Sequence, residues 1–289
     1  MLDVRYHALS LVAVFVALIV GLLLGVAIGD AGLVSSAEKS LRRNLRSDVR
    51  KAQTERDDAR DQVAAQLRYE RESYPLLVAH RLSGRRVGLL ILGKPSATVV
   101  GDVRDALRGT DGTLTGTLAL RLPPDLAALG RAAGTTRYRD LASATELLEP
   151  FGQRIGTQLV VPGGKLLGGE EQVLFPTRAG TIGPFDVVVV ARSPRTITDP
   201  VRRAEATTLE SGIVAGITAS AATAVGVEPS QTAPSSVPWF RARNLATVDD
   251  VDDTAGAAAL VFALAGAQGS FGSGPGASGL LPDAATLAP

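Results

Sequence analysis

The sequence predicts an α/β protein: an N-terminal transmembrane helix and a long coiled-coil helix, followed by a doubly wound, mainly parallel α/β sheet domain. Three observations lead there. Tyr6 to Gly29 contains no Asp, Glu, Lys or Arg. Leu33 to Ser73 is rich in charge and free of Gly and Pro. From Arg86 onward, short apolar runs alternate with helix-like stretches, the order expected of βα units around a parallel sheet. The predicted layout is a transmembrane anchor over 1–30, a coiled-coil helix over 31–80, an α/β domain over 81–267 and a disordered tail over 268–289.

The first run suffices for a bilayer core, which takes about 20 helical residues. Within it Ala13, Ala17, Gly21, Gly25 and Gly29 recur at every fourth position, leaving a groove of small residues through which a second copy or a partner helix can approach closely. The plainer alternative is a lipid-facing anchor. A cleaved signal peptide has a basic leader, a core of about 7–15 residues and a small-residue cut site. Arg5 is the only basic side chain before this run, which is longer than such a core, although Ala27 and Gly29 resemble a cut site. Orientation stays open on charge alone. Lys39, Arg42, Arg43, Arg46, Arg50 and Lys51 outnumber Arg5, yet long domains cross membranes largely regardless of charge.

In the second stretch, Leu41, Leu45, Val49, Ala52, Ala59, Val63 and Leu67 fall at intervals of three and four, with Arg56 interrupting and Tyr74 continuing the stripe. That spacing predicts one helix with a narrow apolar seam. A seam so thin cannot bury a helix in a globule, so a coiled-coil partner is expected: a homo-oligomer or an envelope protein. Tyr74-Pro75 predicts a break, with a short resumption to Leu82, because Pro removes a donor and disfavours the helical conformation of the residue before it.

Val87 to Leu92 is a continuous apolar run, as expected of a strand covered on both faces. A helix over Ala97–Leu107 and a strand over Leu114–Leu122 follow, then helices from Pro123-Pro124 to Gly130 and from Arg139 to Leu148, the latter ending at Pro150. Asp186 to Ala191 predicts a central strand. Asp199-Pro200 starts a helix running to Ser211. Ile213–Thr218 and a run near Val225 are further strands, and Ala257–Ala265 is an apolar helix.

Composition narrows the chemistry. With 289 residues, 45% hydrophobic and a net charge of +1, the chain is a folded protein without the basic excess of a nucleic-acid binder. Cys is absent, Met occurs once, and the histidines are His7 and His80. Thiolate catalysis and thiolate metal sites are excluded. Gly163-Gly164-Lys165 and Gly168-Gly169-Glu170 lack phosphate-loop spacing and read as a flexible glycine loop. His80 reads as a surface residue at a helix end. Asp249, Asp250, Asp252 and Asp253 could offer oxygen ligands to a hard cation, but acids before a helix more simply cap it. Pro234 to Arg243, with Trp239 and Phe240, is a contact loop or an aromatic plug. The expectation is a protein without catalytic residues or a cofactor; a metal-dependent enzyme would have to use the aspartate cluster.

The opening Arg5-Tyr6-His7-Ala8-Leu9-Ser10-Leu11-Val12 through Leu18, with Gly21 and Gly25, resembles the start of the actinobacterial copper transporter family (MctB- and SteB-like proteins). Thr247-Val248-Asp249-Asp250-Val251-Asp252, followed by Ala255-Gly256 and an apolar helix, is similar to that family's C-terminal signature. The resemblance implies copper transport or homeostasis by efflux. It also implies a single pass through the cell membrane with the N-terminus inside and the bulk of the chain on the extracytoplasmic side. Its members also suggest an alternative: a coiled-coil scaffold that regulates cell-envelope remodelling or cell separation through a peptidoglycan-hydrolase partner. Copper is implied by the resemblance alone.

Overall fold

A computed structural model describes residues 4–29, 33–134, 136–163, 167–193 and 196–283. The chain divides into two units, Met1–Leu67 and Arg68–Pro289. The first holds helix α1 (Val4–Gly29) and most of helix α2 (Leu33–Val78). Side chains from Tyr6 to Ile28 are exposed throughout, and that segment is apolar and long enough to cross a membrane.

The predicted break at Tyr74-Pro75 is corrected: α2 runs through Pro75 and ends at Val78. Pro75 falls in the last turn, where the donor it removes is one of the final intrahelical bonds. The chain then turns over residues 79–84. The end of α2 belongs to the second unit, where the Tyr74 hydroxyl donates to the Ala106 carbonyl at 2.6 Å and Val78 is fully buried.

The second unit is an α/β domain. Its strands are β1 (Arg86–Leu92), β2 (Thr113–Leu120), β3 (Thr177–Gly180), β4 (Val187–Arg192), β5 (Thr223–Val227), β6 (Ala246–Val248) and β7 (Ser270–Phe271). Among the described residues they form one sheet in the order β3-β2-β1-β4-β5-β6-β7, all parallel except β3, which pairs antiparallel with β2 at one edge. The direction of winding reverses between β1 and β4. Alternation along β1 explains its unbroken apolar run: Val87, Leu89 and Ile91 enter one core while Leu90 and Leu92 enter the other.

Helices α3 (Ala97–Ala106) and α9 (Thr254–Leu264) cover the first face, with the end of α2. On the second face lie α4 (Leu126–Ala132), α5 (Leu148–Val160), α7 (Pro200–Ala219) and the short α8 (Val237–Arg241). A further helix, α6 (Leu167–Leu174), leads to β3. Side-chain caps fix several starts: Ser96, Asp125, Asp199 and Asp253 each accept an N–H from the first turn of the helix that follows.

Four expectations are corrected here. Ile213–Thr218 is helix, the second half of α7, rather than a strand. Its Gly212 and Gly216 face Gly152 and Gly156 of α5, so closely that a Cβ on any of the four would press on the opposite backbone. This contact favours helix over the strand preference of a β-branched run. Pro150 stands in the first turn of α5 instead of ending a helix, a position where its missing N–H costs little. The predicted helix before it is a series of turns and one 3-10 turn over Thr145–Leu147. Finally, the tail is ordered as far as residue 283: β7 extends the sheet beyond β6, and residues 284–289 lie outside the described residues.

Candidate functional site

The seam of α2 is the first candidate. Leu41, Leu45, Val49, Val63 and Leu67 are 68, 61, 49, 57 and 47% exposed, and Ala52 and Ala59 are exposed with them. The stripe recurs every eleven residues: Leu41, Ala52, Val63 and Tyr74 form one series, Leu45, Arg56, Leu67 and Val78 another. Over the last two positions this same stripe packs into the α/β domain. Arg56 bonds its neighbour Asp57 at 3.2 Å, and exposed pairs such as Arg42–Glu38 at 2.7 Å flank the seam; such surface pairs contribute little individually. On α1, Ala13 and Ala17 are exposed, and a Cβ on Gly21 or Gly25 would meet nothing within 4 Å; Gly29 ends the helix.

The aspartate cluster sits where β6 ends, at the carboxyl edge of the sheet, and the structure divides its members among separate tasks. Asp249 accepts the N–H of Ser273 at 3.1 Å and of Gly274 at 3.0 Å. Asp250, fully buried, accepts the same Ser273 N–H at 3.0 Å through Oδ2. Asp252 accepts from the backbone and hydroxyl of Ser230 at 2.7 and 2.8 Å. Asp253 caps α9 through the N–H of Gly256 at 2.8 Å. Glu228, at the end of β5, joins the group, accepting from the Ser235 hydroxyl and the Ser236 N–H, each at 2.6 Å.

These acids therefore hold loops, above all the C-terminal segment that follows β7. Burial, together with the charges of Asp253 and Asp249, pushes the Asp250 carboxyl up to about 6. Burial also raises Glu228, helped by Asp249 and opposed by its two hydrogen bonds. Among the described residues no group of three or more His, Cys, Asp or Glu is placed to hold a metal ion.

His80 lies just past α2 with its side chain 78% exposed, and its Nδ1 pairs with the Asp111 carboxylate. That hydrogen bond holds Asp111 below the usual carboxylate range. In the glycine-rich stretch, residues 164–166 lie outside the described residues; Gly168-Gly169-Glu170 belongs to α6, with Glu170 buried, which corrects the flexible loop.

One cluster escaped the sequence reading. Arg192, last residue of β4, donates through Nε and Nη2 to the buried Glu210 of α7 at 3.1 and 3.0 Å. The guanidinium of Arg192 lies 4.9 Å, and that of Arg243 3.7 Å, from the ring centre of Trp239. Arg243 also donates to the Ser211 hydroxyl at 2.6 Å. Trp239 is thus a plug held by two cations rather than a contact loop, and Phe240 beside it is fully buried. No local spacing could have revealed this, since the residues come from three elements.

No curated protein matches the chain. A family model described as copper transport outer membrane protein, MctB, matches residues 1–150 and 170–282, which include α1, α2, the strands and the aspartate corner. That match assigns the chain a role in copper transport at the cell envelope. The chain belongs to the MctB family of copper transport outer membrane proteins.

Proposed function

We propose that the protein serves envelope copper transport as a non-enzymatic, membrane-anchored scaffold that works as an assembly of copies. α1 is its single-pass anchor, and the α/β domain stands on the extracytoplasmic side. The observation that carries this reading is the exposed seam of α2. Burying a large aliphatic side chain stabilises by roughly 1.5–3 kcal/mol, so Leu41, Leu45, Val49, Val63 and Leu67 together favour a partner helix. The eleven-residue recurrence, about 3.67 residues per turn, suits a straight or right-handed pair. The small residues of α1 allow close approach of the same two chains within the bilayer.

Copper chemistry supports an assembly over a site within one chain. Soft thiolate and thioether ligands select Cu(I), and imidazole suits copper generally. The sequence supplies no Cys, one Met and two His. Copper is therefore handled between copies or through a partner. The long helix equally suits the second reading, in which the seam docks an envelope partner such as a peptidoglycan hydrolase.

The test is a titration of the purified full chain with Cu(I) and Cu(II) by calorimetry, with its mass measured by light scattering in the same detergent. An oligomer without tight stoichiometric copper is expected. Tight copper at one ion per chain would overturn the indirect reading, and a monomer would overturn the assembly.

A further inference from the structure

We propose that the first turns of α2 carry a binding face for anionic phospholipid headgroups, formed by Lys39, Arg42, Arg43, Arg46 and Arg50. This inference rests on the reading of α1 as a membrane anchor. At about 100° per residue the five side chains fall within roughly 100° of arc on one side of the helix, and all are exposed. The centre of that arc lies about 115° around the helix from the seam. A chain paired through its seam therefore keeps the basic face open.

Two features separate this face from an ordinary solvated one. First, its charge is not balanced locally. Among the described residues one of the five, Arg42, has a carboxylate partner, Glu38 at 2.7 Å. Arg43 and Arg50 instead turn their Nε groups onto carbonyls of their own helix, at Lys39 and Arg46, at 3.3 and 3.2 Å. Further along, the helix has opposite charges in reach of one another, as in Lys51–Glu55 and Arg60–Asp57, and the same face carries Asp57 and Asp61.

Second, the basic stretch lies in the first five turns of α2, at the end that follows the anchor. Residues 30–32 alone separate α1 from α2, so α2 begins within about 15 Å of the end of α1. From Leu33 the helix advances roughly 9 Å to Lys39 and roughly 26 Å to Arg50. A second copy cannot supply the missing anions. Chains anchored in one membrane pair in parallel, which sets basic segment beside basic segment. Anionic lipids of the adjoining leaflet can supply them, because a negative surface attracts basic residues placed next to a span.

The experiment uses the full chain in nanodiscs of phosphatidylcholine, with or without phosphatidylglycerol, read by amide hydrogen exchange. Over residues 39–50, exchange is expected to slow about fivefold or more in the anionic discs, with residues 59–67 unchanged. At about 1 M salt, where the Debye length is near 3 Å, the difference should vanish. The K39Q/R43Q/R46Q/R50Q variant should lose it as well while keeping its helix content by circular dichroism.

Equal exchange over 39–50 in both lipids, with residues 6–28 protected, would overturn the proposal and leave the anchor intact. Protection that appears in both lipids and grows with the number of chains per disc would mark a second copy as the occupant, and would also overturn it. Free exchange across residues 6–28 would sink the anchor reading, and the lipid face with it.

Discussion

Gly216 of α7 lies so close to Gln153 of α5 that a Cβ on the glycine would overlap the glutamine's backbone carbonyl. Neither backbone can yield easily, because Phe151, Ile155, Ile213 and Ile217 around the contact are fully buried. Gly216→Ala should therefore lower stability by about 1–3 kcal/mol, the range for overpacked cores. Denaturant unfolding of the α/β domain checks this, and Gly163→Ala is a weaker comparison, since strain there comes from its positive φ alone.

Glu210 is nearly inaccessible, and both Arg192 and Arg243 act on it. Glu210→Gln keeps the shape and removes the charge, leaving two guanidinium groups beside Trp239 without a counter-ion. Breaking a fully buried pair from one side costs about 3–5 kcal/mol. Arg192 keeps 27% of its side chain exposed, and burial already disfavours the Glu210 charge. A smaller loss of about 1–3 kcal/mol is therefore expected, together with a red shift of the fluorescence of Trp239 as its cage loosens.

Asp250 makes stability depend on pH in an uncommon direction. Its folded value of about 6 stands above the ordinary carboxylate value of 3.8, so the folded state binds the proton more readily than the unfolded state. Its contribution therefore favours folding below the ordinary value and is lost as pH rises toward about 6. Asp186 works the opposite way: Arg86 lowers it to about 2, so its stabilisation is present above the ordinary value and is lost in stronger acid. The midpoint of thermal unfolding should fall between about pH 4 and 6, the interval between the unfolded and folded values of Asp250, and Asp250→Asn should flatten that slope. An unchanged slope in the variant would assign the effect to other buried carboxyls, such as Glu228.

Truncation after residue 269 should destabilise the domain, because the segment beyond it is structural. It removes β7 from the sheet edge and the N–H groups of Ser273 and Gly274 from Asp249 and Asp250. Losing a hydrogen bond to a charged group costs roughly 1.5–3 kcal/mol. Lower solubility and an earlier unfolding midpoint are the expected results.

What the sequence made legible follows from how local each signal is. The strands β1 and β4 were readable because both faces of a central parallel strand are covered, and Asp199-Pro200 marked the start of α7 because capping is a matter of adjacent residues. The second half of α7 misread as strand, since Ile213, Val214 and Ile217 favour strands locally and the glycine contact with α5 that overrides them is distant in sequence. β6 and β7 are too short to show a period. At the acid corner, the four aspartates were visible as a cluster, yet their task depends on Ser230, Ser273 and Gly274, which no spacing connects to them. The Arg192–Trp239–Arg243 stack was invisible for the same reason.

The apolar seam of α2 is the feature whose consequence reaches furthest. Leu45 and Val63 lie on it about 27 Å apart at 1.5 Å per residue, both exposed and both outside the α/β domain. Replacing either with Glu puts a charge where a partner helix would pack, and in a parallel pair the two new charges face each other. Each substitution should weaken association by at least tenfold, and the double substitution L45E/V63E should leave a monomer, measured by the mass of the full chain in detergent. The thermal unfolding of the α/β domain should stay within about 0.5 kcal/mol of the parent, as for surface changes generally. An oligomer that survives L45E/V63E would move the pairing to Gly21 and Gly25 of α1, where Gly21→Leu would then have to break it.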